Sequence, residues 1–351
     1  MPELLHALSE CSDTTPGPDG IPYIFLRHLH ERAVQYLLNL FNQFWESHFV
    51  PPSWLHAYTI PVPKPGKDPT SPVNYRPIVL TSCVCKLFEK MVNPRLMHYA
   101  EEHELLSPYQ NGSRPEHSTL HSLTHLEHQI RKGFAEKNPT VAIFFDITKA
   151  YDTTWRFRIL KILYDSGMRG SLPLFLVAFL SNRTFQVKIG GHLSRSVPLL
   201  IGVPQGSVLS GTLFLLAIND ISKCLPDGVS HSLFVDDFAI YYSSPTMSHI
   251  SRRLNTALAN IHNWTFMTGF TMSIAKTKAM VFYKDKRHVR GQSVSLQMGN
   301  TQILITDNVK FLGMTFDSHL NWIGHINNIK AQCLRRMNGN PQCCRSCSLG
   351  S

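Results

Sequence analysis

Three carboxylates stand in surroundings hostile to charge. Asp146 ends the run Val141-Ala142-Ile143-Phe144-Phe145, and Asp236 and Asp237 lie between Leu233-Phe234-Val235 and Phe238-Ala239-Ile240. A short, wholly apolar run reads as a strand buried on both faces near the middle of a sheet. The runs on either side of Asp236-Asp237 predict two strands joined by a tight turn, with both acids at its tip. A carboxylate so placed either loses hydration or meets a cation. A hard divalent ion suits it, because Mg²⁺ takes oxygen ligands, usually one or two carboxylates together with substrate phosphates. Asp also caps strand ends for local reasons, and for one Asp after one apolar strand that is the better reading. The choice depends on what else the chain carries.

The remaining pattern alternates helices and strands. Pro16-Gly17-Pro18-Asp19-Gly20 is a loop signal. Val34, Leu37, Leu38, Phe41, Phe44 and Trp45 share one helical face, and Pro51-Pro52 ends that helix. Ala57–Val62 predicts a strand, Lys64–Pro77 a basic, Pro-rich loop, and Lys86–Leu106 a helix that Pro94 interrupts. Thr153–Ser166 and Val208–Cys224 predict helices, and Thr184–Ile189 opens a hairpin through Gly190-Gly191. A helix over 247–267, a strand at Ala279–Tyr283 and two strands between 294 and 316 follow. Such alternation, with helices to one side, predicts an α+β fold.

With 351 residues, 43% hydrophobic and 17% charged, the chain can build a large core or two to three subdomains and is too apolar to be disordered. Its net charge of +10 favours a polyanionic partner, since a Lys or Arg set against a phosphate releases counterions. No apolar run is long enough to span a membrane, and Met1-Pro2-Glu3-Leu4 does not open a secretory signal. The eight cysteines are irregularly spaced and read as reduced thiols of an intracellular protein. Cys333, Cys343, Cys344 and Cys347 crowd the tail, but only the last two have C-x-x-C spacing, so a frayed terminus is favoured over a zinc knuckle. His117, His121 and His125, with His128 close by, recur at helical spacing; a solvated helix is favoured over a metal face. The five tryptophans predict core contacts before base-stacking platforms.

The motifs, taken in order, resemble the reverse transcriptases of non-LTR retrotransposons, the LINE-like group with jockey-type elements, from about Pro16 to Trp322. Phe144-Phe-Asp-Ile-Thr-Lys-Ala-Tyr-Asp152 resembles motif A, which implies Asp146 as a metal ligand and Tyr151 as the steric gate whose ring excludes a ribose 2′-OH. Gly202-Val-Pro-Gln-Gly-Ser-Val-Leu-Ser-Gly-Thr-Leu-Phe214 resembles motif B and places Gln205 and Gly206 near nucleotide and template; Gly211 stands where the family usually has proline. Phe234-Val-Asp-Asp237 resembles the motif C box, with Phe234 for the usual Tyr and Val235 for the usual Ala. It implies Asp236 as the second main metal ligand and Asp237 as the supporting acid. Gly269–Lys278 resembles motif D, with Lys276 a proton donor to pyrophosphate. Val309-Lys-Phe-Leu-Gly-Met314 resembles the primer grip, with Phe311, Leu312 and Gly313 beneath the primer end. Upstream, Asn74–Leu80 and Tyr109–Pro115 resemble the fingers motifs. They imply Arg76 as the triphosphate contact, through its forked guanidinium, and Lys64 and Lys67 as phosphate or template contacts; Ser113 replaces the usual aromatic residue before Arg114.

The resemblance implies a right-hand polymerase: an N-terminal extension over 1–56, fingers over 57–140, an α+β palm over 141–320 with a fingers-contacting insertion near 167–200, and a truncated thumb over 321–351. The resemblance also narrows the intracellular setting to cytoplasm or nucleus. The implied activity is RNA-directed DNA polymerase: a primer 3′-OH attacks the α-phosphate of a dNTP across two Mg²⁺ ions, with Mn²⁺ as an alternative, on an RNA template and a DNA primer. Two rivals stand beside it. One is a catalytically inactive or domesticated nucleic-acid-binding fragment of such an element. The other is an RNA-dependent RNA polymerase, in which Tyr151 would not govern sugar choice.

Overall fold

The structure is a computed structural model and describes residues 1–339, so Cys343, Cys344 and Cys347 lie outside it. Helices α1 (Pro2–Ser9), α2 (Tyr23–Arg27) and α3 (Glu31–Ser47) lead into β1 (His56–Pro63), β2 (Tyr75–Leu80), α4 (Cys83–Glu102) and α5 (Thr119–Ala135). Next come β3 (Thr140–Phe145), α6 (Ala150–Thr153), α7 (Arg156–Asp165), α8 (Ser171–Leu180), β4 (Thr184–Ile189), β5 (His192–Leu193), β6 (Val197–Pro198) and α9 (Leu209–Ile218). The chain continues through β7 (Ser230–Phe234), β8 (Asp237–Ser243), α10 (Met247–Thr268) and β9 (Lys278–Phe282). Short strands β10 (Gln297–Met298), β11 (Thr301–Gln302), β12 (Leu304–Ile305), β13 (Asn308–Phe311) and β14 (Met314–Asp317) precede α11 (Ile323–Gly339). The mixture of helices and sheets is that of the α+β class.

Local differences from the sequence expectations have local causes. Pro94 does not interrupt α4, which runs unbroken past it. A mid-helix proline costs about 3 kcal/mol, but Leu87, Phe88 and Val92 before it and Leu96 and Ala100 after it are all buried, so breaking the helix would expose that stripe. The segment expected to be loop through Pro77 becomes β2 from Tyr75 onward. Pro77 is tolerated because β2 is the edge strand of its sheet. The helix expected over Val208–Cys224 changes to a 3₁₀ turn at Asn219, and that expected over Thr153–Ser166 forms as α7, preceded by the short α6. Where two strands were expected between 294 and 316, five short ones form.

Two compact units are formed, each from several chain segments. One comprises residues 1–116, 148–222 and 265–271, the other 117–147, 223–264 and 272 onward. In the first, β2, β1, β4 and β5 lie side by side, with β6 also on β4. The β1–β4 pairing is parallel and joins His56 to Thr184. Phe41, Trp54, Phe88 and Phe175 build an aromatic cluster between α3, α4 and α8, with ring centroids 5.0 Å (Phe41–Phe88), 5.9 Å (Trp54–Phe88) and 5.3 Å (Phe88–Phe175) apart.

The second unit is ordered β12-β9-β3-β8-β7. β3 is central, and all six of its residues are buried, as its unbroken apolar sequence requires. Leu126 and Ile130 of α5 cover one face together with Ala142, Phe144, Met280, Phe282, Phe311 and Phe316, which form a continuous core. His125 does not point into water: its ring hydrogen-bonds the Tyr241 hydroxyl at 2.5 Å, and His121 serves a capping box with Ser118. Among the described residues no helix is long and apolar enough to cross a membrane.

Candidate active site

The second unit gathers the acids by strand register. β3 and β8 run antiparallel with Phe145 opposite Phe238, so one step further along the same register sets Asp146 opposite Asp237. On the other side of β3, Phe144 faces Lys278, and residues 274–276 ahead of β9 form a turn that brings Lys276 near Asp146. Asp146 and Asp237 therefore stand at the ends of adjacent strands along one rim, with Asp236 beside them in the hairpin turn and Lys276 in the turn ahead of β9. Past β3 the chain is held by a hydrogen bond from the Ser273 amide to the Asp146 carbonyl at 2.7 Å and by an Ile147–Met272 bridge. The Lys276 ammonium then reaches back to Asp146, Nζ to Oδ1 at 3.2 Å.

Phe234 pairs with Asp237 across the tip of the β7–β8 hairpin, leaving Val235-Asp236 as a two-residue turn. Val235 has φ +57°. A β-branched residue in the left-handed region is strained, and such strain persists only where the surroundings over-determine it. The two flanking strands, paired through five residues each, supply that constraint.

Asp236 and Asp237 are exposed by area, yet apolar strands lie beneath them. Desolvation pushes the Asp236 carboxyl above the usual range; its own backbone N–H holds it partly down, and the charge of Asp146 adds to the rise. Asp237 is pushed up to about 6, first by desolvation and then by the charges of Asp236 and Asp146. The three acids thus sense one another and repel. Among the described residues no three His, Cys, Asp or Glu side chains converge into a ready-made metal cage. The donor set nevertheless fits Mg²⁺, which is held by one or two carboxylates and completes its shell with water and substrate phosphate. A divalent cation would offset the desolvation and the repulsion that raise both carboxyls.

The β13–β14 hairpin belongs to the same unit. Leu312 (φ +45°) and Gly313 (φ +85°) make its turn, a pair of positive values that matches the twist of the strands. Phe311 is buried, its ring 5.2 Å from Phe144 on β3, which ties the hairpin to the strand that carries Asp146.

The first unit holds Tyr151, Gln205, Gly206, Arg76 and Lys64. Tyr151 stacks on Phe214 of α9, centroids 4.9 Å apart and planes 16° from parallel. Its carbonyl accepts the Val203 amide at 2.9 Å. Gln205 donates through Nε2 to the Asp152 carboxylate at 3.0 Å, and Asp152 is pushed up by desolvation against the pull of Lys149 and this bond. Gly202 and Gly206 both have φ +81°. A Cβ on Gly206 would meet the Val79 carbonyl oxygen at 2.6 Å, so the loop lies directly on the backbone of β2. Beside it opens a cavity of about 630 Å³ lined by Val79, Asp152, Phe185, Leu199 and Gln205. Arg76 is exposed on β2 opposite Val62. Lys64 is used locally: its ammonium donates to the Val73 carbonyl at 2.8 Å and closes the 64–74 loop.

Arg114 was read as part of a fingers motif, and Glu89 escaped the sequence reading. Arg114, whose side chain is 9% exposed, pairs with Glu101 and donates to the Ser107 and Gln110 carbonyls, a structural role. Glu89 is wholly buried on α4 and meets the 202–209 loop. Its signal was present, an acid on the apolar stripe of a helix between Cys85 and Val92, but nothing local says what the acid meets.

A family model described as reverse transcriptase (RNA-dependent DNA polymerase) matches residues 62–316. The chain is 28% identical over 332 residues to the probable RNA-directed DNA polymerase from transposon BS of Drosophila melanogaster, covering 92% of this chain and 36% of that protein. It is 28% identical over 323 residues to the RNA-directed DNA polymerase from mobile element jockey of the same species, covering 90% and 34%. A type-1 retrotransposable element R2 polyprotein of Popillia japonica is 25% identical over 289 residues, covering 78% and 38%. The chain spans about a third of the length of these curated relatives.

Proposed function

The chain belongs to the reverse transcriptase (RNA-dependent DNA polymerase) family, and from that membership we propose that it extends a DNA primer on an RNA template as part of a non-LTR retrotransposon polymerase. The reading rests on one observation above the others: Asp146 and Asp237 end adjacent strands in one register, with Asp236 in the turn beside them and their charges felt by one another. That arrangement gathers negative charge at an edge whose strands are otherwise apolar.

In this reading Asp146, Asp236 and Asp237 hold two Mg²⁺ ions, with Mn²⁺ as an alternative. The ions supply what two-metal sites supply in general, a more nucleophilic hydroxyl and a stabilised leaving oxygen. The primer 3′-OH forms a bond to the α-phosphorus of a dNTP while the bond to the β-phosphate oxygen breaks and pyrophosphate leaves. Lys276 supplies a proton to the leaving pyrophosphate. Its contact with Asp146 keeps the ammonium at the rim of the acids.

Tyr151 closes the space under the sugar, and its stacking on Phe214 fixes the ring that does so. Arg76, exposed on an edge strand, contacts the triphosphate, and Lys64 steadies the basic loop ahead of it. Gln205 and Gly206 meet nucleotide and template. Phe311, Leu312 and Gly313 support the primer end. Residues 57–140 serve as fingers, 141–320 as palm, and the chain from 321 onward begins a thumb.

The test is primer extension on poly(rA)/oligo(dT) with dTTP, with and without Mg²⁺, beside Asp236→Ala. Extension that needs the metal and disappears in the variant is expected. Nucleic-acid binding without extension would instead establish a binding fragment, and equal use of rNTPs would establish an RNA polymerase.

A further inference from the structure

Glu89 has no exposed surface. It sits mid-way along α4 beside Leu87, Phe88 and Val92, where a carboxylate is retained only if its oxygens are satisfied. They are. One oxygen accepts from the Ser207 hydroxyl and from the Leu209 amide at 3.1 Å, and the other accepts the Cys85 thiol at 3.2 Å.

The Leu209 amide is the first of α9, and the N-cap position of that helix is Val208, which has no side-chain cap. The first amides of a helix have no partner within it and carry partial positive charge. Glu89 therefore caps α9 from a different helix. Buried Arg183 lies in the same unit and donates to the Phe179 carbonyl at 2.8 Å and to the Trp54 carbonyl at 3.3 Å.

The loop ahead of α9 is held at several other points. The Pro204 carbonyl accepts the Ser207 amide at 3.2 Å and the Ser210 hydroxyl at 2.7 Å. Gly206 lies on the Val79 carbonyl, and Gln205 is tied to Asp152. Each of these restrains one side of the loop. Among the described residues it is the Glu89 carboxylate that joins the Ser207 side chain to the start of the helix, and so sets where the turn ends.

We propose that Glu89 is a positioning residue of the polymerase: through Ser207 and Leu209 it holds the 202–209 loop in the shape that presents Gln205 and Gly206, and thereby sets nucleotide affinity. The inference rests on the polymerase reading. Glu89 touches no substrate and acts through the loop. Its loss should weaken dNTP binding and leave the chemical step near its normal rate.

The experiment compares the unaltered chain with Glu89→Ala, Glu89→Gln and Ser207→Ala, measuring KM for dTTP, kcat, and amide exchange across residues 203–210. Loss of the hydrogen bonds to Ser207 and Leu209 predicts a KM about tenfold higher in Glu89→Ala, with kcat changed by less than about twofold. Ser207→Ala should raise KM less, and Glu89→Gln, which keeps an oxygen for both donors, should stay near normal. Exchange should quicken over 203–210 in the Ala variants. If Glu89→Ala fails to fold, Ser207→Ala decides, since it removes one donor without disturbing the fold's buried charge. Unmoved KM and unmoved loop exchange, with only a lowered melting temperature, overturn the inference. No extension by the unaltered chain would overturn the polymerase reading first, an outcome distinct from extension with an unmoved KM.

Discussion

Replacing Gly206 and Gly211 by alanine, one at a time, applies the same chemical change at two points five residues apart and should give opposite results. At Gly206 the backbone has φ +81°, and an L-residue in the left-handed region costs about 1–2 kcal/mol. The new Cβ would also lie 2.6 Å from the Val79 carbonyl oxygen. That oxygen belongs to β2, whose Val79 is paired with Thr59 of β1, so it cannot swing aside as a side chain would. Relieving such an overlap in packed structure costs about 1–3 kcal/mol. The two effects together predict a loss of about 2–5 kcal/mol. At Gly211 φ is ordinary, and the nearest atoms to an added Cβ are Ser113 Oγ at 3.8 Å and Cβ at 4.0 Å, normal contacts. Alanine there reduces the freedom of the unfolded chain and should stabilise by about 0.4–1 kcal/mol. Urea denaturation followed by circular dichroism, with unchanged slopes, reads both values. Primer extension should fall with Gly206→Ala and persist with Gly211→Ala. A Gly206→Ala protein within about 0.5 kcal/mol of normal would refute the close approach of loop to strand, because that is the scatter of an unremarkable surface change.

Three other outcomes are expected. Asp237 has its carboxyl raised from 3.8 to about 6 in the folded protein, so its favourable contribution is present while it is protonated and is lost as pH rises through about 4 to 6. Asp237→Asn should therefore gain in melting temperature over the unaltered metal-free protein across that window and hold the gain above it; a difference flat with pH would disprove the raised carboxyl, which desolvation and then the neighbouring charges produce. Tyr151→Ala should accept rNTPs more readily and also melt lower, because it removes a stacked pair worth about 0.5–1.5 kcal/mol beyond its area; unchanged sugar selection, read from dNTP and rNTP extension side by side, would count against the gate. Arg114→Met should cost about 1.5–3 kcal/mol in urea denaturation by stranding Glu101 and two carbonyls, while leaving KM for dTTP unchanged; a raised KM would show that Arg114 touches nucleotide.

Much of the rim of acids was legible in the sequence because its determinants are local. An unbroken apolar run reads as a buried strand or a buried helix segment, and an acid pair between two such runs as a tight hairpin, although the turn proper is Val235-Asp236 and Asp237 already belongs to β8. Hence β3, β7 and β8 stand where Val141–Phe145 and the flanks of Asp236-Asp237 placed them. The α4 helix was equally visible, but its continuation through Pro94 was not: local chemistry argues for a break, and the buried stripe on both sides outweighs it.

What the chain order could not convey is who meets whom across long separations. Nothing near His56 announces a parallel partner at Thr184, and nothing near Asp146 states that Lys276 will close on it. Glu89 looks like one more charge on a helix until the loop at 202–209 is folded against it, and Asp152 like a motif letter until Gln205 donates to it. The amino-acid sequence by itself determined the central strands and the hairpin beside the acids, because hydrophobic periodicity and turn chemistry act over a few residues, and its ordered motifs carried the family resemblance. Only the tertiary structure decided the capping of α9, the seat of Gly206 on β2 and the partners of the buried charges, because those energies arise from desolvated groups meeting across the fold.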